Sequence, residues 1–504
     1  MKNMILKHSN VFAFVLGAVS VLGFAPWFWI ITDFMAFSVL FYMLLNSTTV
    51  KHLFVRGYWF GFAHFAFGFS WVANALLIDV KQLGWLYPLT LIALGGFFGL
   101  FFALPAMFVV CGQKRWQKWI IFGSAVVVFE WLRSFLFTGF PWNLLGYTFA
   151  FSDEMVQVAS IGGSYLLSLF AILIYTVGGL WLQKSDIKSG IYISVGIVFL
   201  FCVLFFWGSW RLAVNQFKET DVVIRIVQPS IPQTLKWNRM MMEENFSEYV
   251  RLSDIDASVV PSFIIWGETA SPFMLDRDDY HLQQILPVLK KGSYLVAGMI
   301  SYHDTMEGVL PHNSMVLFNP EGKVVDYYHK SHLVPFGEYI PFRKYLPNFI
   351  RPVANMIGTF GRGKGPKTIE IAGLPSLGGV VCYEIIFPGD IVDDKNKPDF
   401  LVNLTNDGWY GDSAGPHQHW VATKMRAVEE GITIIRAANN GISGMIDALG
   451  REKAFMKLNH KGVLDVKLND GLVYNTLYSR FGNVLILTFC LILLFLGFIK
   501  IRTK

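Results

Sequence analysis

The chain has 504 residues, of which 54% are hydrophobic and only 15% are charged, and its mean hydropathy is +0.45. Because soluble domains carry roughly 25% charged residues, this composition excludes a string of ordinary soluble domains and indicates long membrane segments. The 16% of aromatic residues excludes a disordered chain, and the 4 cysteines are too few for a disulfide scaffold.

Apolar segments recur through residues 1–211 and appear once more near the C-terminus. A membrane span needs about 20 such residues. The stretch 11–45 is interrupted by Pro26 and Asp33, so it is interpreted as two short spans. The eight predicted spans are Val11–Ala25, Phe34–Leu45, Val55–Ile78, Tyr87–Val110, Trp119–Thr138, Val158–Leu182, Gly190–Trp207 and Val484–Ile499.

Positive charge is distributed unevenly along the chain. Residues 1–211 hold 12 Lys and Arg against 6 Asp and Glu, whereas residues 212–482 hold 27 against 30. Because the excess lies on the membrane segments and their flanks, a nucleic-acid partner is excluded. Lys and Arg collect on cytoplasmic loops, which predicts that both termini are cytoplasmic and that residues 212–482 lie on the opposite side. The predicted cytoplasmic charges are Lys2, Lys7, Lys51, Arg56, Lys114, Arg115, Lys118, Lys184, Lys188, Lys500, Arg502 and Lys504.

Two charges, Glu130 and Arg133, fall inside a predicted span and are three residues apart, so both can lie on one helix face. Charges within a membrane are usually functional, but a buried pair can also simply order the helices. A transporter or lipid-binding scaffold, in which the spans carry the function, is therefore one alternative. It would require Glu130 or Arg133 and would tolerate loss of any catalytic residue outside the membrane.

Residues 212–482 alternate β-rich runs with turns and helical patterns, which is typical of an α/β domain. A hairpin turn is predicted at 319–322, and a helix is predicted over Gln418–Glu430, ended by Gly431. The predicted strands are Val222–Val227, Ser262–Trp266, Ser293–Met299, Ser314–Phe318, Val324–Tyr328, Gly379–Val381, Leu401–Leu404, Ile432–Arg436, Ser443–Asp447 and Gly462–Val466.

Three chemically capable side chains fall at predicted strand ends. Cys382 is the only cysteine of residues 212–482 and follows a buried strand, where a nucleophile is held on a rigid platform. A thiol nucleophile needs a base and a cation beside it. Glu268 ends one predicted strand and Lys330 ends another. Singly, each could be an ordinary solvated or buried side chain.

The order Glu, Lys, Cys at three strand ends resembles the carbon–nitrogen hydrolase (nitrilase) superfamily, whose triad has that order on an αββα sandwich. Longer motifs resemble the apolipoprotein N-acyltransferase family more closely. These motifs are Thr138–Trp142, Gln228–Trp237, His332–Tyr339, Asn406–Ser413 and Asn439–Gly441. Two positions depart from the family pattern: Gly267 stands where Pro is common, and Tyr410 where Phe is usual.

The resemblance implies a multi-span helical membrane bundle of about eight transmembrane helices joined to a nitrilase-like αββα sandwich. The implied divisions are a membrane domain at 1–211, an extracytoplasmic domain at 212–482 and a last span with a cytoplasmic tail at 483–504. Cys382 would be the nucleophile, Glu268 the general base and Lys330 the stabiliser of the oxyanion. No metal or cofactor is implied. The residues expected to assist the site or its substrates are Trp237, Glu338, Tyr383 and Glu384.

The implied reaction moves an acyl chain from a phospholipid, chiefly phosphatidylethanolamine, through a thioester on Cys382. The acceptor is the α-amino group of a diacylglyceryl-cysteine at the N-terminus of an apolipoprotein, in the last step of lipoprotein maturation. The implied location is the bacterial inner membrane, with the catalytic domain on the periplasmic side. The second alternative is a membrane-anchored amidase of the nitrilase type that acts on a small amide with the same triad.

Overall fold

The structure is a computed structural model that describes residues 6–182, 187–255, 260–305, 308–345 and 360–500. Lys2, Lys184, Arg502 and Lys504 of the predicted cytoplasmic charges lie outside these residues. The chain divides into two compact units. The first contains 1–215, 413–429 and 476–504, and the second contains 216–412 and 430–475. A helix from within the predicted 212–482 domain thus groups with the first unit.

The described part of the first unit consists of helices joined by turns and irregular segments. Short 3₁₀ or α turns connect the main helices, for example Ser20–Gly23 and Leu145–Phe149. The main helices are Ser9–Val19, Ile30–Leu45, Val50–Gly68, Tyr87–Phe98, Leu100–Met107, Arg115–Leu132, Ala159–Trp181, Ile187–Val214, Ala414–Glu430, Leu477–Phe481 and Val484–Phe498.

Helix is present within each of the eight predicted spans, but the number of spans is not confirmed. Among the described residues, three stretches are long and apolar enough to cross a membrane, namely Ser70–Cys111, Ala159–Trp181 and Ile187–Val214. The α-helix in the predicted span 55–78 ends at Gly68 and is followed by a 3₁₀ helix, Ser70–Asp79. Gly, Ser and Asn, which are poor helix formers, occur where the geometry changes.

Glu130 and Arg133 bind the backbone of the segment that follows their helix. Leu145 N donates to Glu130 Oε1 at 2.9 Å. Arg133 donates to the carbonyls of Phe140 at 2.9 Å and Trp142 at 2.7 Å. These bonds turn the chain back after Leu132, so the predicted helical span to Thr138 is too long. They favour the structural interpretation of the two charges, because buried backbone groups that lose partners are costly.

The helix Ala159–Trp181 is broken at Gly162 and Gly163, where Gly163 has φ 70°. The backbone N and the hydroxyl of Ser164, which restart the helix, donate to Glu429 Oε1 at 2.6 and 2.7 Å. Glu429 in turn is paired with Arg426 at 2.6 Å. A carboxylate at the start of a helix satisfies free N–H groups and interacts favourably with the helix dipole. The carboxylate of Glu429, in the same unit, thus accepts the hydrogen bonds of Ser164 at the break.

Replacing Gly163 by Ala should destabilise the protein by about 1–3 kcal/mol, because a Cβ at positive φ is strained. The new Cβ would also lie 2.4 Å from the Tyr478 ring. Thermal unfolding of the detergent-purified chain should show a lowered Tm. The matched control is Gly196→Ala, at a helical position with open space around the added Cβ, which should leave Tm unchanged or raise it. Equal Tm values for the two variants would contradict the strain at Gly163.

The second unit contains two six-stranded sheets. The strands are β1 Glu219–Gln228, β2 Phe263–Trp266, β3 Tyr294–Thr305, β4 Gly308–Phe318, β5 Val324–His329, β6 Thr368–Ile371, β7 Leu374–Val381, β8 Phe400–Thr405, β9 Thr433–Ala438, β10 Ser443–Ile446, β11 Glu452–Met456 and β12 Gly462–Asn469. The first sheet has the order β12-β1-β2-β3-β4-β5 and the second has the order β11-β10-β9-β8-β7-β6.

Three parallel strands form the centre of each sheet: β1, β2 and β3 in the first, and β7, β8 and β9 in the second. Apolar side chains of both sheets form one core, for example Ile265 from β2 and Val402 from β8. The other face of the first sheet packs against two amphipathic helices, Met242–Ser253 and Asp279–Leu289. Both faces of this sheet are therefore buried, as its continuous apolar runs require.

All the strands predicted from the sequence are present, with boundaries shifted by several residues in places. Two strands were missed, β6 and β11. Each is the outer strand of the second sheet, is only four or five residues long and has exposed positions. Edge strands are short and polar in many proteins because their free backbone groups invite aggregation, so the apolar pattern that marks a strand is weak there.

Candidate active site

The three candidate catalytic residues all follow strands of the second unit. Glu268 lies two residues after β2, Lys330 directly after β5 and Cys382 directly after β7. Strand β3 is parallel to β2, and β4 and β5 then alternate in direction. Strands β2 and β5 therefore run the same way, and their carboxyl ends lie at one edge of the sheet. That topology brings Glu268 and Lys330 together.

Lys330 lies between two carboxylates and is only 1% exposed. Its Nζ is 3.3 Å from Glu268 Oε1 and 3.0 Å from Glu338 Oε1. Burial by itself lowers the pKa of Lys330, but the charges of Glu338 and Glu268 outweigh it and hold the pKa above its ordinary value. The ammonium is therefore a permanent cation. Removing either carboxylate would leave a buried charge poorly compensated.

Asn313, in the middle of β4, binds the same two carboxylates. Its Nδ2 donates to Glu268 Oε1 at 2.8 Å and to Glu338 Oε1 at 3.0 Å. The backbone N of Val334 donates to the other oxygen of Glu338 at 2.8 Å. These donors hold both carboxylates in place, and the position of Glu268 Oε1 is set by two neighbours, Asn313 and Lys330.

Cys382 is the first residue of the turn Cys382–Ile386 and has φ 51°. A positive φ in a residue with a side chain stores strain, as at other sharp strand-to-helix turns that present a nucleophile. Cys382 is 5% exposed. Burial, and then the charge of Glu268, raise its pKa to about 12, although Lys330 acts in the opposite sense. The resting group is a neutral thiol, so it needs a base at the moment it reacts.

Glu384, two residues after the cysteine, joins the ends of β5 and β7 through hydrogen bonds. Its Oε1 accepts from the backbone N and the hydroxyl of Ser331 at 2.7 and 2.8 Å and from the N of His332 at 3.0 Å. Its Oε2 accepts from the Tyr328 hydroxyl at 2.8 Å and from Val381 N at 2.7 Å. One buried carboxylate thus ties the neighbours of Lys330 to the residue before Cys382.

Family models match two parts of the chain. The model described as apolipoprotein N-acyltransferase N-terminal domain matches residues 16–177, and the carbon–nitrogen hydrolase model matches residues 224–478. The chain is 33% identical over 483 residues to the apolipoprotein N-acyltransferase of Rickettsia typhi, with 95% of each chain covered. It is 32% identical over 477 residues to that of Brucella melitensis, covering 90% of this chain and 88% of the relative. The chain belongs to the apolipoprotein N-acyltransferase family.

Among solved structures, this N-acyltransferase family member is similar to a carbon–nitrogen hydrolase superfamily protein from Xanthomonas campestris. The identity is 19%, the TM-score is 0.36, and the match covers 53% of this chain and 97% of that chain. The family-model match confirms the carbon–nitrogen hydrolase fold expected from the sequence, built here from two sheets. The candidate residues Glu268, Lys330 and Cys382 all lie within the matched region.

The other expected residues occupy different places around the candidate site. Glu338 and Glu384 bind the elements that carry the candidate triad, as described above. Tyr383 is buried, with its ring centroid 5.1 Å from that of Phe387. Trp237 follows the short helix Gln233–Lys236 and is half-buried, and it makes no hydrogen bond that joins it to the triad within the described residues.

Sequence reasoning missed two polar residues of the site, Asn313 and Lys236. Asn313 is the more detectable, because it is an amide in the buried part of β4, and a buried amide needs partners. Lys236 lies within the motif that ends at Trp237, but nothing in its local sequence indicates burial. Its Nζ donates to the backbone carbonyl of Glu268 at 2.8 Å.

Replacing Glu384 by Gln should destabilise the protein. All the groups around the carboxylate donate hydrogen bonds to it, and the amide replaces one acceptor by a donor. A buried donor is then unpaired, at a cost of about 1–3 kcal/mol, which thermal unfolding measures. The matched control, Glu370→Gln, changes an exposed carboxylate on β6 and should alter stability by less than about 0.5 kcal/mol. Wild-type stability in the Glu384 variant would contradict the bridging role.

Proposed function

We propose that the chain transfers a fatty acyl chain from a membrane phospholipid to the α-amino group of the diacylglyceryl-cysteine of an apolipoprotein. The observation that carries this proposal is the convergence of Glu268, Lys330 and Cys382 at strand ends, in a chain of the N-acyltransferase family that also contains long apolar helices. Phosphatidylethanolamine is the proposed donor.

In the first half-reaction, Glu268 takes the thiol proton while Cys382 Sγ attacks the ester carbonyl of the phospholipid. The carbonyl electrons move to oxygen, and the oxyanion is stabilised by Lys330. Within the part of the chain that the structure describes, two of the three N–H bonds of Lys330 are directed at Glu268 and Glu338, so one remains for the oxyanion. The ester C–O bond then breaks, and Glu268 returns its proton to the leaving lysophospholipid oxygen. A thioester remains on Cys382.

In the second half-reaction, the neutral α-amine attacks the thioester carbonyl and a second oxyanion forms. Glu268 takes a proton from the attacking nitrogen. The C–S bond breaks, and the proton passes to the departing sulfur, which regenerates the thiol and the carboxylate. Since the pKa of Cys382 is raised to about 12 by burial and by Glu268, the sulfur leaves readily only if it is protonated, so the same carboxylate serves both steps.

The proposed location is the bacterial inner membrane, with residues 212–482 on the periplasmic side and both termini in the cytoplasm. Both proposed substrates hold their acyl chains in a bilayer, so an enzyme with apolar helices in the same chain meets them where they reside. The proposed divisions remain a membrane domain at 1–211, the catalytic domain at 212–482 and a final span at 483–504.

A reporter enzyme that is active only outside the cytoplasm tests this orientation. Fusion after Arg211 should give an active reporter, because seven spans precede that point. Fusions after Arg56 and Lys188 should be inactive, since both positions lie on the predicted cytoplasmic side. Activity after Arg56 would contradict the span count, and inactivity after Arg211 would contradict the periplasmic location.

Incubation of the purified chain with phosphatidylethanolamine carrying a labelled acyl chain tests the reaction. The protein should acquire a label that hydroxylamine releases, since hydroxylamine cleaves thioesters. Addition of a diacylglyceryl-cysteine peptide should then move the label to the peptide. Cys382→Ala should remove both signals, whereas Cys202→Ala, at an exposed cysteine of the helix Ile187–Val214, should retain them.

The amidase alternative uses the same three residues. The identity of the acyl donor distinguishes it from the acyltransferase. No phospholipid-derived label on the wild-type chain, together with release of ammonia from small amides, would favour the amidase. Label that persists after Cys382→Ala would contradict the thioester mechanism.

A further inference from the structure

The charges around the candidate triad do not balance if Lys330 is the only cation. Glu268 and Glu338 both contact Lys330, so two negative charges share one positive charge. Glu384 adds a third buried carboxylate, and its partners given above are neutral donors. Asp407, a fourth, is already paired with Arg436 at 2.8 Å. A thiolate forming on Cys382 would add further negative charge to a site that already has an excess.

Lys236 supplies a second positive charge next to this site. It is 4% exposed, and its Nζ donates to the backbone carbonyl of Glu268 at 2.8 Å. Its ammonium makes this one hydrogen bond to the described residues, so two of its N–H groups have no partner among them. Burying a lysine with so little compensation is costly. A buried ammonium with so few partners is expected where its positive charge serves the function of the site.

We propose that Lys236 is a positioning residue of the active site, a second cation that holds the Glu268 strand end in place and stabilises the negative charge passing between Glu268 and Cys382. This inference rests on the proposed acyl transfer. Lys236 acts through its hydrogen bond to the Glu268 backbone and through the electrostatic field of its positive charge, whereas Lys330 binds the carboxylate itself. The two lysines thus approach Glu268 at different atoms, Lys236 at the backbone carbonyl and Lys330 at Oε1.

The stabilisation by Lys236 is largest when charge moves onto sulfur. While the proton of Cys382 is on Glu268, the carboxyl is neutral and the sulfur bears the charge, so only a nearby cation offsets its burial. Lys330 stays paired with Glu338 throughout, so its positive charge is shared between Glu338 and the sulfur. A second ammonium lowers the energy of the thiolate without weakening that pair. Loss of this cation should slow formation of the thioester more than it lowers stability.

The ionisation of Lys236 makes the proposal measurable. Burial lowers the pKa of Lys236 to about 8, and the two titratable groups that act on it, Glu268 and Cys382, oppose that shift. The cation is present below this pH and is lost above it. Acyl-enzyme formation by the wild-type chain should therefore slow as the pH rises through about 8. Proton transfer from Cys382 to Glu268 is internal and adds no pH dependence in that range.

The experiment measures acyl-enzyme formation from labelled phosphatidylethanolamine by the full-length chain in detergent, between about pH 6 and pH 10. Lys236→Met should be slower by about tenfold or more below pH 8, which corresponds to about one pKa unit at the sulfur, and should show no decline near pH 8. Lys236→Arg should form the acyl-enzyme without the alkaline decline, because arginine stays charged. The control is Lys461→Met, at an exposed lysine paired with Glu248, which should behave as wild type.

A purely structural role predicts a different result. Lys236→Met would then lower Tm and the yield of active protein, while the pH at which the rate declines would stay as in the wild type. A rate within about twofold of wild type in Lys236→Met, or an unchanged alkaline decline in Lys236→Arg, would overturn the proposal. If Lys236→Met does not fold, the arginine variant alone decides. Absence of acyl-enzyme in the wild type would overturn the proposed function itself.

Discussion

The candidate site depends on one buried ammonium that two carboxylates share. Lys330 is inaccessible to water, so its charge exists only because Glu268 and Glu338 compensate it. That requirement explains the surrounding polar residues. Asn313 donates to both carboxylates, and Glu384 holds the backbone that follows Lys330. An interaction of this kind is weak evidence for stability, but it fixes the positions of charged groups, which is what acid–base catalysis requires.

The same constraint sets the chemistry of the nucleophile. A reactive cysteine usually has a lowered pKa, whereas burial and Glu268 raise that of Cys382 to about 12. The thiol therefore keeps its proton until a substrate carbonyl is in reach. In the proposed mechanism Glu268 carries the thiol proton in the first half-reaction and a proton of the attacking amine in the second. A neutral resting thiol is less exposed to oxidation, because the thiolate is the species that oxidants attack. For a single cysteine in a domain proposed to face the periplasm, this is a useful property.

Buried charged side chains in the helical unit have a different role. Glu130, Arg133 and Glu429 all bind backbone groups at places where helices end or break. In an apolar surrounding such free N–H and C=O groups have no water to bind. Charged side chains therefore complete the hydrogen bonding of irregular segments. The helix can break at the glycines before Ser164 because the Glu429 carboxylate accepts from the free N–H there. This use of charge weakens the case for a transporter, in which such residues would line a pathway.

Much of the protein was predictable from residue patterns alone. Hydropathy and turn signals predict the apolar blocks and the central strands, because burial of both sheet faces requires continuous apolar runs. The same signals predict the strand-end positions of Glu268, Lys330 and Cys382. Long motifs identified the family. The helix boundary at Gly68, the edge strands β6 and β11, and the roles of Asn313 and Lys236 did not follow.

These features were decided by tertiary structure for a physical reason. An edge strand and a helix end depend on partners distant in sequence, and a lysine such as Lys236 looks like any solvated lysine until the fold buries it against a carbonyl 32 residues away. The sequence by itself determined that Glu268, Lys330 and Cys382 follow strands. Only the folded chain determined the balance of charge around them, since that balance is a property of distances and burial.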